Sequence, residues 1–390
     1  MSKITKSPTF CPEPWTTLNI DQTGQVLPCL HSYGWNYLNN KQNSLGSIKQ
    51  QSIQSIINGP TLKELKETIA QGEWHSFCQS CQHNESTGGN SARLTRRIPA
   101  NLMDQIDLDI NFFKLINLTV CWTNLCNLTC TYCNPETSTA WQHIKKIPIT
   151  HVRNKSDDLI QLAKDNRDSL IGLTLGGGEP LLQPGLLEFL KEIDSTQAKV
   201  VVTTNLSIDL TKNAIYQELR KWPSVAWQIS FDNADPAKFE YVRRGASWEI
   251  FKRNLQLMKD DQQHIVAHPA YSIYCAFDLV DYFEFCRLYN IEIYWCDLID
   301  PPVLDVRKLP NVLKTRAQEE IDLVLAKYES DPANTYRLSL DILKRYRAQL
   351  ALPAINITSV AQLAQWHARQ EQTMPPPGLS FDALWPEFTK

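Results

Sequence analysis

From residue 115 onward, apolar runs of four to eight residues alternate with stretches whose apolar positions recur at helical spacing. The runs suit strands buried on both faces and the periodic stretches suit amphipathic helices, so the chain reads as repeated strand–helix units around a parallel sheet. Strands are predicted at Leu115–Cys121, Ile171–Leu175, Lys199–Thr203, Ala226–Phe231, Ala270–Cys275 and Ile291–Cys296, with helices such as PGLLEFLKEI and SWEIFKRNLQLMK between them. Six such units make about three quarters of a (β/α)8 barrel, so the predicted fold class is α/β, a partial (β/α)6 TIM barrel. Beyond Leu309 the pattern turns helical, through NVLKTRAQEEIDLVLAKY and LSLDILKRYRAQLA, and ends in the proline-rich PPPGLSFDALWPEF. That tail suits a clamp over a cleft, a partner contact, or a segment packed back on the barrel.

Ahead of residue 100 the pattern differs, with few large apolar runs. SLGSIKQQSIQSIINGPTLKELKETIAQGEW reads as two short amphipathic helices broken at Gly59 and Pro60. Three regions result: a small cysteine-rich module over 1–100, the partial barrel over 110–305 and a helical extension over 306–390. A module of this kind buries little apolar surface, and a bound metal cluster would supply part of its stability.

Composition narrows the class. The 390 residues are 43% hydrophobic and 21% charged, as in a globular protein, and the net charge of -3 gives no broad basic field for nucleic acid. The N-terminus lacks the apolar core of a secretory signal, and no stretch approaches the roughly 18 apolar residues that span a bilayer. The expected location is the cytoplasm, with neither membrane nor nucleic acid as partner. Eleven cysteines in such a chain point to metal or redox chemistry, because cytosolic thiols are kept reduced.

The segment CNLTCTYC places Cys126, Cys130 and Cys133 within eight residues, directly after the first predicted strand. Three thiolates can hold an iron–sulfur cubane and leave one iron open, and an open iron can bind the amino and carboxylate groups of a substrate. Zinc, completed by His143 or another cysteine, is the alternative for the same residues. The spacing CxxxCxxC, with Tyr132 immediately before the last cysteine, resembles that of the radical SAM superfamily. One unit later, LTLGGGEPLL supplies Gly177, Gly178, Glu179 and Pro180, similar to the GGEP stretch that in this superfamily receives the methionyl amine.

The resemblance implies further roles. Thr203, Thr204 and Asn205 at the end of the third strand resemble residues lining the ribose side of the S-adenosylmethionine pocket, with a polar helix cap as the alternative. Ser230 and Asp232 match an SxD that contacts the ribose, and Arg243 matches an arginine that pairs with the methionyl carboxylate; Arg244 is the weaker match. These matches imply a 4Fe-4S cluster on Cys126, Cys130 and Cys133. They also imply an external electron donor of the flavodoxin or ferredoxin type, and reductive cleavage of S-adenosylmethionine to a 5'-deoxyadenosyl radical that abstracts hydrogen from substrate.

Cys11, Gly24 and Cys29, followed by Cys78 and Cys81, offer four thiolates, enough for one additional 4Fe-4S cluster. CPEPW, the Gx4C element, the C-x2-C pair, Ser91 and Arg93 resemble the twitch and SPASM auxiliary-cluster modules of radical SAM proteins, here placed before the barrel. A zinc knuckle, with His31 or His83 replacing a cysteine, or unrelated buried cysteines remain as alternatives. Among the other cysteines, Cys275 and Cys296 end predicted strands, where a thiol could return hydrogen to a substrate radical; a buried apolar role is the alternative.

Auxiliary-cluster members of the superfamily act mostly on peptides. The resemblance therefore implies a peptide or protein substrate, a ribosomal precursor matured by splicing, cross-linking or epimerisation, with a separate small leader-recognition protein as a candidate partner. A small-molecule substrate is the second expectation, and a non-catalytic Fe-S electron carrier the alternative of another class. Trp15, Trp122, Trp141, Trp227, Trp295 and Trp385 stand near motifs, as core residues or as anchors for an extended peptide.

Overall fold

The computed structural model of the chain describes residues 7–32, 43–86, 91–95, 106, 109–148, 156–193, 197–297, 300–330, 335–354 and 356–388. The expected boundary between the first two regions, near residues 100–110, lies largely outside the described residues. Two compact units form, one of Met1–Asn124, Thr150–Val202 and Ala214–Val225, the other of Leu125–Ile149, Thr203–Asn213 and Ala226–Lys390.

In the first unit the strands are β1 (Thr17–Ile20), β2 (Gln25–Leu27), β3 (Gly46–Ser47), β4 (Asn117–Cys121), β5 (Gly172–Gly176) and β6 (Lys199–Thr204), in the order β3-β2-β1-β4-β5-β6. The last two residues of β6, Thr203 and Thr204, fall in the second unit. β4, β5 and β6 are parallel, with Asn117 opposite Gly172 and Gly172 opposite Lys199. Leu118, Val120, Leu173, Leu175, Val200 and Val202 alternate along their strands and are all buried, whereas the positions between them in β5 and β6 are half-buried. Helices α1 (Pro60–Ala70), α2 (Ser156–Asp165) and α3 (Pro184–Ile193) add Leu62, Leu65, Leu162, Phe189 and Leu190 to the core.

The N-terminal segment contains more sheet than its pattern predicts. β1 runs parallel to β4, with Thr17 opposite Asn117, and antiparallel to β2, with Asn19 opposite Leu27. TLNI is only four residues and half polar, so it carries no strand signal of its own; the neighbour on each side buries all four residues. The β1–β2 turn closes through Asp21, whose Oδ1 accepts the N–H groups of Thr23 at 2.7 Å and Gln25 at 3.0 Å, with Gly24 at φ +85°. That left-handed position is the physical reason for the glycine of the Gx4C element.

The second unit holds β7 (Val225–Ile229), apart from Val225, with β8 (His264–Ala267), β9 (Ala270–Tyr271), β10 (Glu292–Ile293) and β11 (Cys296–Asp297). β7 pairs with β8 and β8 with β10, all parallel, and β9 pairs with β11 in a separate two-stranded ladder. The parallel series β4, β5, β6, β7, β8 and β10 supplies the six strands expected, in a mixed α/β fold with a parallel core. The fifth strand, however, is His264–Ala267 and not Ala270–Cys275. Pro269 has no N–H to give a ladder, so pairing stops before it and resumes only for Ala270 and Tyr271. The predicted strand Ile291–Cys296 is likewise split between β10 and β11, with Tyr294 N–H donating to Ala267 O at 2.8 Å in between.

Helices α4 (Pro236–Val242), α5 (Trp248–Asp260) and α6 (Leu279–Tyr289) follow the strands, and the helical extension forms α7 (Asn311–Tyr328), α8 (Arg337–Leu350) and α9 (Val360–Thr373). An aromatic core joins Phe231 to Tyr282, with ring centres 4.8 Å apart, and Phe239 to Phe251 at 4.9 Å. The proline-rich tail packs back on this unit: Phe381 stacks on His367 at 3.5 Å, and Phe388 meets Phe277 edge-on at 5.2 Å. All six tryptophans singled out above are buried, at most 3% exposed, so they serve the core and present no face to a peptide. Among the described residues no helix is long and apolar enough to cross a membrane.

Candidate active site

The cysteine loop lies in the second unit and its backbone is held at nearly every step. Cys126 N–H donates to Thr139 Oγ1 at 3.2 Å, Ser138 Oγ donates to Leu128 O at 2.7 Å, and Trp141 Nε1 donates to Cys130 O at 3.0 Å. Thr129 and Thr131 N–H donate to the carbonyls of Arg244 at 3.0 Å and Val242 at 2.9 Å, and Cys133 N–H closes a turn onto Cys130 O. A loop with its amides and carbonyls so engaged holds its side chains without help from the thiols. Cys130 is buried, and Cys126 and Cys133 are half-buried.

The electrostatics of Cys130 and Cys133 are opposed. Cys130 lends its S–H to Cys133, which raises its own pKa and lowers that of Cys133, and the Arg243 guanidinium lowers both. Arg243 forms a buried ion pair with Asp232 at 2.9 Å and donates to Tyr132 OH, and Tyr132 in turn donates to Asp232 Oδ2 at 2.9 Å. The other oxygen of Asp232 accepts Ala270 N–H at 3.1 Å. Both carboxylate oxygens are thus engaged, and Tyr132, Asp232 and Arg243 form one triangle beside the cysteines.

Three more predicted residues join this unit. Asn205 Nδ2 lies 3.9 Å from Cys126 Sγ and donates to Asn127 Oδ1 at 3.1 Å, while Asn205 Oδ1 accepts Ser207 N–H at 2.9 Å. Thr204 Oγ1 accepts Leu206 N–H at 3.1 Å, and Ser230 N–H donates to Thr204 O at 2.8 Å, which joins the ends of the third and fourth strands. Strand ends also bring in His268, which sequence reasoning missed because the fifth strand was placed too late. Its imidazole follows β8 and makes a 2.9 Å hydrogen bond with Tyr294 O; burial and the nearby Arg243 charge lower its pKa, against the Tyr294 bond and Asp232. The HIVAHP run ahead of Pro269 was the available signal.

Gly177, Gly178, Glu179 and Pro180 lie in the first unit, after β5. Gly177 sits at φ +114°, and a Cβ there would stand 2.5 Å from Thr123 O, so only glycine fits. Gly178 N–H donates to the same carbonyl at 2.9 Å, and the side chain of Gln183 brackets Thr123, accepting its N–H at 3.2 Å and donating to its C=O at 3.3 Å. Thr123 stands three residues before Cys126, and Gln183 is a positioning residue that no motif revealed. Glu179 is fully buried and accepts Leu181 N–H at 3.1 Å as the cap of a single-turn helix over Pro180–Leu182.

The N-terminal cysteines also come together, within the first unit. Cys11 feels the charges of Cys29 and Cys78, Cys29 feels Cys81, and Cys78 feels both Cys29 and Cys81. Burial first and the neighbouring acids second push Cys29 up to about 11 and Cys78 to about 12. Glu85 ties this group: it accepts from Ser91 Oγ and pairs with Arg93, whose Nη1 donates to Phe10 O at 3.1 Å, next to Cys11. The Ser-x-Arg element therefore fastens the Cys11 segment to the helix that follows Cys78 and carries Cys81. His31 and His83 are both exposed.

Cys275 and Cys296 differ. Cys275 is fully buried and directs its S–H at the carbonyls of Ala270 and Ser272, at 3.5 and 3.4 Å. Cys296 is half-buried, donates to Pro269 O at 3.4 Å, and is pushed up to about 12 by burial and by Asp232, with Arg243 opposing.

Family models match both cysteine groups: the radical SAM superfamily over residues 120–269, and SPASM, an iron–sulfur cluster-binding domain, over residues 11–82. The chain carries a radical SAM domain and an iron–sulfur SPASM domain. Among curated proteins the chain is similar to a GTP 3',8-cyclase of Peptoclostridium acidaminophilum, 28% identical over 151 residues, covering 38% of this chain and 42% of the relative. It is also similar to molybdenum cofactor biosynthesis protein 1 of Homo sapiens, 30% identical over 132 residues, covering 33% of this chain and 19% of the relative. The chain thus spans less than half the length of either. Among solved structures, SuiB of Streptococcus suis bound to S-adenosylmethionine shows a TM-score of 0.44 at 12% identity, covering 80% of this chain and 69% of that one.

The residues present fit a radical SAM cluster. Among the described residues no three His, Cys, Asp or Glu side chains converge on a point where one ion would sit. A cubane takes its cysteines on separate irons, and three soft thiols on a rigid loop beside a guanidinium are a donor set of that kind. Cys126, Cys130 and Cys133 would hold it, and Asn205 and Arg243 would surround it with donors and positive charge.

Proposed function

We propose that the chain is a cytoplasmic two-cluster radical SAM enzyme that modifies a peptide or protein, a ribosomally made precursor. The observation that carries this reading is the four-thiol group of the SPASM domain, Cys11, Cys29, Cys78 and Cys81, which share one electrostatic neighbourhood and suffice to saturate a second cubane. Auxiliary-cluster enzymes that this chain resembles act mostly on peptides.

Within the second unit, Cys126, Cys130 and Cys133 hold the S-adenosylmethionine-binding cluster, with Tyr132, Thr204, Asn205, Ser230, Asp232 and Arg243 as its surroundings. S-adenosylmethionine, once bound and given one electron by an external donor, supplies the radical that removes hydrogen from substrate. The Asp232–Arg243–Tyr132 triangle presents a fixed positive edge to an incoming carboxylate. Of these two thiols, Cys275 and Cys296, Cys296 is the better hydrogen donor, because Arg243 is within its electrostatic reach and its sulfur is less enclosed than that of Cys275.

The test has two stages. The anaerobically reconstituted chain, reduced with S-adenosylmethionine present, is expected to release 5'-deoxyadenosine, and none would remove the radical reading. Coexpression with short peptides encoded beside the gene then reads the reaction by mass: no change for epimerisation, loss of two hydrogens for a cross-link, loss of a residue fragment for splicing. A second reading, a small-molecule substrate, draws on the name of the GTP 3',8-cyclase relative. 5'-Deoxyadenosine released in proportion to an added nucleotide, with every peptide unchanged, would favour it.

A further inference from the structure

We infer that the C-terminal end of α9 is part of the frame of the cysteine loop, with Arg244 as the positioning residue that joins the two. The inference rests on the reading that Cys126, Cys130 and Cys133 hold the S-adenosylmethionine-binding cluster.

Four contacts close a circuit within the second unit. First, the loop between the cysteines runs beside residues 242–244, through Thr129 N–H to Arg244 O at 3.0 Å and Thr131 N–H to Val242 O at 2.9 Å. Second, Gly245, at φ +95°, lets the backbones approach: a Cβ there would lie 3.3 Å from Leu128 Cδ2 and 3.5 Å from Asn127 O. Third, the Arg244 side chain, only 1% exposed, turns away from the cysteines to the end of α9, where Nη1 donates to the carbonyls of Gln370, at 3.2 Å, and Met374. Fourth, Thr129 Oγ1 lies 2.8 Å from Met374 Sδ, which returns the circuit to the loop.

The chemistry explains why an arginine stands here. The carbonyls at the end of a helix form the negative end of its dipole, so a guanidinium there meets the charge at Met374 O and adds a second donor to Gln370 O, which also accepts Met374 N–H at 2.9 Å. The guanidinium face also lies over the Tyr241 ring, 4.9 Å from the centre, and Tyr241 OH bonds Glu371 and His367 of α9, each at 3.0 Å. Nε and Nη2 of this buried guanidinium have no hydrogen-bond partner among the described residues, so its compensation comes from the two Nη1 bonds and the Tyr241 ring, and α9 and Arg244 thereby specify one another's position. Arg244 O holds Thr129, midway between Cys126 and Cys133, and the adjacent Arg243 reaches Asp232 and Tyr132. A shift of α9 is therefore transmitted to the thiols and to the arginine beside them.

The experiment uses the full chain, reconstituted anaerobically. It reads the electron paramagnetic resonance of the reduced protein with and without S-adenosylmethionine, the affinity for S-adenosylmethionine, iron content and melting temperature. Arg244→Gln is expected to weaken S-adenosylmethionine binding about tenfold and to shrink the spectral change it induces, at unchanged melting temperature and unchanged iron at the N-terminal cysteines. Arg244→Lys, which keeps one charged donor, is expected to recover part of both. Thr129→Val, which removes only the contact to Met374, is expected to move the spectrum in the same direction by less.

A wild-type spectrum and affinity in both Arg244→Gln and Thr129→Val would overturn the inference while leaving the cluster assignment standing. General loss of stability in Arg244→Gln, with Thr129→Val unchanged, would also overturn it, since Arg244 would then be a core residue only. Absence of any S-adenosylmethionine response in the unmodified chain would instead remove the cluster reading, and the inference with it.

Discussion

The side-chain amide of Asn205 lies 3.9 Å from the sulfur of Cys126, with its carbonyl oxygen held by Ser207 and its second contact at Asn127. An N–H aimed at a thiolate stabilises the more negative state of whatever that thiolate ligates, and so raises its reduction potential. Asn205→Ala is expected to lower the midpoint potential of the S-adenosylmethionine-binding cluster by roughly 40 mV, the equivalent of about 1 kcal/mol for one electron. A redox titration followed by electron paramagnetic resonance would read it, and an unchanged potential would show that the amide serves only the loop.

The two thiol groups should be separable. Cys78→Ala together with Cys81→Ala is expected to reduce iron from about eight to about four per chain and leave 5'-deoxyadenosine release in place. Cys130→Ala is expected to abolish that release and keep the N-terminal iron. Loss of release in the first variant would mean that the SPASM cysteines are needed for cleavage itself.

Gly177→Ala places a methyl 2.5 Å from Thr123 O at a φ of +114°. The strain amounts to about 1–3 kcal/mol, and relief requires Thr123 to move. The expected result is a lowered melting temperature together with weakened S-adenosylmethionine binding; wild-type values for both would contradict the geometry.

Lys66 is buried, with Nζ donating to Phe112 O at 2.8 Å and Ile110 O at 3.3 Å, and burial lowers its pKa to about 8 from an ordinary 10.5. The unfolded chain then binds the proton more tightly than the fold does between these two values. The cost is fully present below pH 8 and disappears as pH rises through that window, for a gain on the order of 2 kcal/mol. Buried thiols act in the opposite direction, because their raised folded pKa values make the fold the tighter proton binder there. The decisive quantity is therefore the difference between wild type and Lys66→Met in chemical denaturation, which should grow in favour of wild type from pH 7.5 to pH 10. A constant difference would show that Lys66 does not titrate in this window.

The legible part of the chain was the part whose physics is local. Spacing brought out Cys126, Cys130 and Cys133, because ligands on one loop must be close in sequence, and GGEP stood out by its resemblance to the superfamily and its place one unit after them. Four of the six parallel strands, β4 to β7, showed as runs whose buried positions are mostly apolar. The helices around Gly59 and Pro60 and those beyond Leu309 showed through their periodicity.

Tertiary structure decided the rest. β1 exists because β2 and β4 flank it, which its four residues cannot encode. The break at Pro269 moved the fifth strand and brought His268 to a strand end. The aromatic residues of the motifs, open to a role as substrate anchors, proved to be core. Gln183 carries no motif, and Arg244 stood only as the weaker match for the methionyl carboxylate: each bonds a backbone group distant in sequence, Thr123 for one and the end of α9 for the other. Residue identity could specify which thiols would bind iron. The frame that holds them depends on long-range hydrogen bonds, whose partners are chosen by the fold and leave no spacing to read.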